Sequence, residues 1–256
     1  MKICVLIKQV PDKDSKIVIN SDSKSIDSNN ITNVMNESDN YALEEALLLK
    51  EKHGGEVVVC SLGGLSANEI IKTALAKGAD KGIHLINAQN SYIDILSVAK
   101  MIANKIKGEN FDIILSGLQS DDMGNCQLGL LISEILNTSN SSLVMSTELI
   151  NDNTIKVKQE LENGWFQWTE LNLPVSLTIQ SGINTPRYAS LRGIMMAKNK
   201  PLDSVEINIS ETESQLSLDK LYIPSKSKET KFIEGVSPDE IASNIVDVLA
   251  NEIKVL

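Results

Sequence analysis

Residues 117–129 read GLQSDDMGNCQLG, the densest run of groups able to hold a small polar ligand. They follow an apolar run and precede a helix expected to begin near Gly124. Gly117 and Gly124 let the backbone come close to a ligand. A helix start offers unpaired N–H groups and the positive end of a dipole to a phosphate. Ser120, Asn125 and Gln127 can donate hydrogen bonds. Asp121 and Asp122 repel phosphate, but they can accept from a ribose hydroxyl or cap the helix. A polar, capped turn would use the same residues, so the run alone leaves both readings open.

Two further segments stand out. Residues 36–45, NESDNYALEE, open a helix that Asn36 and Ser38 can cap and whose dipole Asp39 favours. Leu6 and Leu62, near two other strand ends, can floor an adenine. Residues 184–200, NTPRYASLRGIMMAKNK, form a loop that sets Leu191, Ile194, Met195 and Met196 among Arg187, Arg192, Lys198 and Lys200. Apolar residues rimmed by charge suit a protein-binding surface, though a loop covering its own core has the same composition.

Side-chain catalysis finds no machinery here. The chain has two histidines. His53 ends a helix, where the dipole favours a cation, and His84 lies in a strand. No nucleophile elbow, zinc-protease helix, P-loop or dinucleotide-binding glycine motif occurs. Residues 61–66, SLGGLS, read as a strand-to-helix turn with Ser66 as N-cap. Cys4, Cys60 and Cys126 are an odd number with no C-x-x-C spacing, as expected of free thiols in a reducing compartment.

The elements around these segments follow a β-α-β-α rhythm. Apolar runs at 2–7, 56–61, 82–86 and 111–116 suit parallel strands covered on both faces. Helical stripes fall at 38–53, from Ala67 to Leu75, and from Tyr92 to Ile106. This predicts a doubly wound, mostly parallel α/β sheet. Ligands in such sheets sit beyond the carboxyl ends of the strands, where the 36–39 and 117–128 segments would meet. From about Ser141 short strands at 143–150, 154–161, 164–170 and 173–179 predict an antiparallel extension. Residues 203–236 read as an extended arm. Ser237, Pro238 and Glu240 start a last helix, with Val236 and Ile241 as a hydrophobic staple.

The 256 residues hold 24 Lys plus Arg and 34 Asp plus Glu, a net charge of -10. Such a chain is poorly suited to a nucleic-acid backbone or an anionic membrane surface. The apolar run at the N-terminus is too short for a signal peptide, and no stretch nears the ~20 apolar residues of a membrane span. A cytoplasmic protein is expected. The acidity is uneven: 171–202 has four basic residues and no acid, and 203–256 has eleven acids against five bases.

Five motifs occur in order: MKICVLIKQVPD, N-x-x-D-x-x-ALEEAL-x-LKEK, LAKGADKGIHL, GLQSDDMGNCQLG and N-x-PRYASL-x-GIM-x-AK. Together they resemble the beta subunit of electron transfer flavoprotein, including its FixA-type relatives, over residues 1–202. The resemblance implies an adenine-nucleotide-binding fold of the HUP type and a heterodimer with an alpha subunit that holds the redox-active FAD. It implies electrons taken from acyl-CoA or other flavin dehydrogenases and passed to a quinone-oxidoreductase-like acceptor. Nucleotide contacts then fall on Leu6; on Asn36, Glu37, Ser38 and Asp39; on Leu62; and on Gly117, Leu118, Gln119, Ser120, Asp121, Asp122, Met123, Gly124, Asn125, Cys126, Gln127 and Leu128. The partner-recognition loop falls on 185–202, with Arg187, Tyr188, Leu191, Ile194 and Met195 as contacts and Leu191 as the anchor. Residues 1–184 would form the nucleotide-binding domain, and 203–256 an arm and helix on the alpha subunit. Glu37 and Ser38 stand where Pro and an aromatic are common in the family. The beta site holds AMP in simple members and a second FAD in electron-bifurcating ones. AMP is expected here, because the loop lacks an Asp-Gly-Asp core. The 117–128 loop taken alone would also permit a stand-alone adenine-nucleotide sensor of universal-stress type.

Overall fold

The structure is a computed structural model that describes residues 1–88, 92–207, 214–225 and 230–255. The strands in chain order are β1 (Lys2–Leu6), β2 (Gln9–Pro11), β3 (Asn33–Met35), β4 (Glu56–Gly63), β5 (Lys81–Ile86), β6 (Ile113–Gly117), β7 (Ser139–Asn151), β8 (Thr154–Glu160), β9 (Phe166–Asn172), β10 (Val175–Ile179) and β11 (Leu202–Glu206). The helices are α1 (Glu37–His53), α2 (Asn68–Lys77), α3 (Ile95–Ile106), α4 (Leu128–Leu136), α5 (Leu191–Ala197) and α6 (Pro238–Asp247). The chain divides into two units, 1–220 and 221–256.

In the first unit, nine of the described strands form one sheet in the order β11-β5-β4-β1-β6-β10-β7-β8-β9. β11 through β7 are parallel, and β7, β8 and β9 run antiparallel. The period-two alternation of strand side chains sorts the core into two layers. Ile3, Val5, Val57, Val59, Ile113 and Leu115 pack with Leu43 and Leu47 of α1 and with Ile71 and Leu75 of α2. Cys4, Leu6, Val58, Cys60, Ile83 and Ile114 pack with Ile102 and Ile106 of α3 and Ile132 of α4. Burying each large aliphatic side chain stabilises the fold by ~1.5–3 kcal/mol. The sheet is therefore doubly wound. The chain leaves β1 toward β4 and β5 on one side, then α3 returns it to β6 on the other. The strand order reverses between β1 and β6, and sheets of this kind place a ligand crevice beyond the carboxyl ends at such a reversal.

The structure corrects several sequence expectations. The strand after Pro174 is parallel and lies inside the sheet between β6 and β7; all five residues of β10 are buried, as an interior strand requires. Residues 202–206, where the arm was expected to begin, pair with β5 as β11. Residues 208–213 and 226–229 of that expected arm lie outside the described residues. Tyr92 precedes α3, which Asp94 caps. Burial raises the Asp94 carboxyl, but hydrogen bonds from Ser214, Ser97 and Gln215 outweigh it and hold the group well below the usual range. Its oxygens accept from Ser97 N at 2.8 Å and from Ser214 Oγ and Gln215 N at 2.7 Å, which moors 214–216 at the start of α3.

In the second unit, Ser237 caps α6, and the Glu240 carboxylate accepts from Val236 N at 2.9 Å. The expected staple is absent, since Val236 is 97% exposed. The apolar residues Ile245, Val246 and Ile253 are exposed as well.

Candidate functional site

The crevice between β1 and β6 is organised by one buried carboxylate. Asp39, in the first turn of α1, accepts from Lys8 N at 2.8 Å through Oδ2 and from Gly117 N at 3.0 Å through Oδ1. Both donors lie at or just past the ends of the two central strands, where the ladder leaves N–H groups to be satisfied. Asp39 thus ties the two lips of the crevice together. Burial pushes its carboxyl up to about 7, against the pull of those N–H groups, the Asn36 amide and the Lys8 ammonium.

The neighbours of Asp39 hold the loop after β6. Asn36 begins α1, yet its side chain makes no cap. Its amide donates to Gln119 O at 2.8 Å and accepts from Asp121 N at 2.9 Å. Ser38 Oγ donates to the same Gln119 carbonyl at 2.6 Å. Glu37 N donates to the Asp121 carboxylate at 3.3 Å. Lys8, which the sequence reading passed over, sets its ammonium 2.7 Å from Asp122 and 3.4 Å from Ser120 Oγ. The signal for Lys8 was its place just beyond the first strand.

Beyond these locks the loop is open. Residues 121–127 are exposed, with Gly124 at φ 59° and Cys126 at φ 55°. Cys126 Sγ donates to Gln119 Oε1 at 3.1 Å. The helix starts at Leu128, four residues later than expected, because those two left-handed residues cannot continue a helix. No side chain caps α4, so its first N–H groups remain available to an acceptor. Its first turn packs closely on the sheet: a Cβ on Gly129 would sit 2.6 Å from Thr178 Cγ2 and 2.7 Å from Ser116 Oγ. The Ser116 hydroxyl is buried there with no hydrogen-bond partner. Leu6 is buried and Leu62 partly buried in the layer shared with α3 and α4, at the ends of adjacent strands. Unpaired N–H groups at a helix start are suited to donate to an anion's oxygens, and Leu6 and Leu62 give the neighbouring strand ends an apolar character.

The structure therefore brings Asn36, Ser38, Asp39, Gly117, Gln119, Asp121 and Asp122 into one network, with Met123, Asn125 and Gln127 on the open loop beside it. The 184–200 segment carries a separate surface. Tyr188 is 96% exposed, Leu191 82% and Met195 65%, with Ile194 and Met196 about half exposed. Arg187 points the other way, its guanidinium forked on the buried Glu44 carboxylate at 2.8–3.0 Å. Its guanidinium is thus engaged within the fold. The segment, expected to be a loop, contains α5.

A family model described as the electron transfer flavoprotein domain matches residues 24–210. The chain belongs to the electron transfer flavoprotein family. It is 34% identical to the electron transfer flavoprotein subunit beta of Methylophilus methylotrophus, covering 99% of each chain. It is also 34% identical to the subunit of the same name from Bacillus subtilis, over the full length of both. The mitochondrial beta subunit of Arabidopsis thaliana is 30% identical, again over the full length. The chain has the beta-subunit role in electron transfer. The family match takes in β7–β9 and the α5 segment, which a stand-alone nucleotide sensor does not need. Among the described residues no helix is long and apolar enough to cross a membrane, and no group of three His, Cys, Asp or Glu side chains converges to hold a metal.

Proposed function

We propose that the chain pairs with an electron transfer flavoprotein alpha subunit, which holds the redox-active FAD, and that the β1–β6 crevice keeps a bound AMP. The observation that carries this reading is the uncapped start of α4 following the open 121–127 loop, whose base Asn36, Ser38 and Asp39 lock to α1. The flavin supplies the electron chemistry; this chain binds and orients. A single phosphate suits the site, since Asp122 already engages Lys8, and Asp121 and Glu37 line the mouth without a cation to offset a second phosphate. The ribose would be read by Asp121 and the loop amides, and the adenine would rest on Leu6 and Leu62. The free thiols suit a reducing compartment such as the cytoplasm.

Co-expression with the alpha subunit tests the assignment. Heat release of the nucleotides from the purified heterodimer, followed by mass analysis, should give one FAD and one AMP. Two FAD and no AMP would replace the AMP reading with the bifurcating, FixA-type one. A stable, nucleotide-free monomer would remove the subunit reading altogether.

The exposed residues of α5 form the docking surface for a flavin dehydrogenase in this reading, with Leu191 as anchor and Arg192 and Lys198 as a basic rim. Substitution Leu191→Ala should raise the KM for an acyl-CoA dehydrogenase roughly 30-fold, the effect of a hot spot near 2 kcal/mol. Flavin content should stay unchanged, and loss of flavin would count against docking. The exposed apolar stripe of α6 is assigned to the alpha subunit. Electrons would leave for a quinone-oxidoreductase-like acceptor.

A further inference from the structure

We infer that α5 is a preset platform, in which Gly193, Arg187 and Glu44 act as positioning residues that fix how Tyr188, Leu191 and Met195 face a partner. This rests on the docking reading above and adds the device that makes the surface. A seven-residue helix does not persist alone in water, since a short helix cannot repay its nucleation. An exposed apolar loop would ordinarily fold onto the core. Something must hold this one outward, and the locks are visible.

At the entry, the Asn184 amide donates to Tyr41 O at 3.1 Å and to the Glu45 carboxylate at 3.0 Å. Arg187 then gives its backbone N–H and its guanidinium to Glu44, a carboxylate 5% exposed on α1. Its outer nitrogens reach Glu51, two helical turns further along. Ser190 Oγ accepts from Gly193 N at 3.0 Å and caps the helix. Gly193 lies flat against α2: a Cβ there would sit 2.1 Å from the Ala76 carbonyl oxygen. At the exit, the Lys200 ammonium donates to Leu75 O at 2.9 Å and Ala79 O at 2.6 Å, which closes the C-terminal end of α2.

The segment is thus fastened to α1 at its entry and to α2 at its middle and exit. Asn184, Arg187, Gly193 and Lys200 are turned inward, and Tyr188, Leu191 and Met195 are left outside. A forked Arg–carboxylate pair fixes direction as well as distance, so Arg187 sets the heading of the chain into Tyr188 and Leu191. Gly193 sets the height of α5 above α2. A partner meets the apolar residues already in place, without the cost of ordering a loop. The side chains themselves stay adaptable, since Met195 and Met196 can repack against more than one apolar pocket.

The test uses the heterodimer with an acyl-CoA dehydrogenase as electron donor, and Leu191→Ala as the reference for docking. Gly193→Ala must lift α5 or shear it along α2. It should raise KM at least 10-fold while leaving kcat and flavin content at the wild-type values. Glu44→Gln keeps size and removes the charge; it should raise KM in the same direction, and Arg187→Lys should retain more affinity than Arg187→Ala. Hydrogen exchange supplies a readout that needs no partner: amides of α5 should be protected in the wild type and exchange faster in Gly193→Ala and Glu44→Gln. If Leu191→Ala leaves KM unchanged, the docking reading fails. If Leu191→Ala raises KM while Gly193→Ala and Glu44→Gln do not, docking stands and the platform is overturned. Unprotected α5 amides in the wild type would overturn it equally.

Discussion

Replacing Gly117 by alanine is expected to empty the proposed nucleotide crevice and to cost the fold about 2.5–6 kcal/mol. The backbone angle is not the reason, since Gly117 has no left-handed φ. The reason is space. A Cβ at this position would stand 2.2 Å from Ser38 Oγ, 2.5 Å from Asp39 Oδ1 and 2.7 Å from the Ser38 carbonyl carbon. None of these can step aside cheaply, because Ser38 Oγ is donating to Gln119 and Asp39 is accepting from Gly117 and Lys8. Relief requires β6 and α1 to part, which breaks a charge-assisted hydrogen bond and leaves strand-end N–H groups unpaired. Overpacking contributes about 1–3 kcal/mol and the broken bond about 1.5–3. That is a large share of an ordinary domain stability of about 5–15 kcal/mol. Gly124 is the matched control. It has φ 59° but open space around it, so Gly124→Ala should cost only about 1 kcal/mol and spare the locks. Thermal unfolding and the AMP-to-heterodimer ratio check both variants. A Gly117→Ala heterodimer with a full complement of nucleotide would show that the α1–β6 contact does not shape the site.

The two variants also mark what a sequence can show. The apolar runs at 2–7, 56–61, 82–86 and 111–116 became β1, β4, β5 and β6, because a strand buried on both faces writes its state into its own composition. The order of those strands, and the place of β10 among them, is not local information. VSLTI reads equally well as an edge or an interior strand, and only its neighbours decide. The crevice shows the same limit at the level of atoms. Asn36 and Ser38 read as caps for α1 and Asp39 as favourable to its dipole, a local and sensible use of their types. In the fold their partners are Gln119, Asp121 and Gly117, about eighty residues away in the chain. Ser66, expected to cap a helix, instead donates to Gln9 Oε1 at 2.7 Å. The segment 184–200 misled differently. Pro186 and Gly193 are loop-formers by propensity, and α5 exists because Glu44, Ala76 and Ala79 hold it in place. Such long-range override of propensity is concentrated at the two surfaces this chain would offer to a ligand and a partner.

Asp39 carries the second large effect, and its sign follows from its surroundings. Its carboxyl lies near 7 in the fold, against 3.8 when free, because burial opposes the charge. The charged groups around it are Lys8 from the end of β1, Asp121 and Asp122 from the loop after β6, and Glu37 on its own helix. A group whose pKa is raised by folding binds its proton more tightly in the native state. It therefore favours the fold most at low pH, and this contribution is lost as pH rises toward 7. The expected slope is about 1.4 kcal/mol per pH unit between pH 5 and 7, flattening above. Asp39→Asn removes the titration. It also turns one of the two acceptors into a donor facing a backbone N–H, at a cost of about 1–3 kcal/mol at every pH. The melting temperature of the wild-type heterodimer minus that of Asp39→Asn should thus be largest near pH 5 and shrink by several degrees toward pH 7.5. The ionised form is the one that best serves the Lys8 and Gly117 N–H groups, since each oxygen then accepts without competition. Burial and hydrogen bonding pull the group in opposite directions, and the melting difference reports which prevails. A difference that stays constant from pH 5 to 7.5 would mean that the two N–H donors keep Asp39 ionised throughout, with the crevice closed by a permanent charge instead of one that titrates near neutrality.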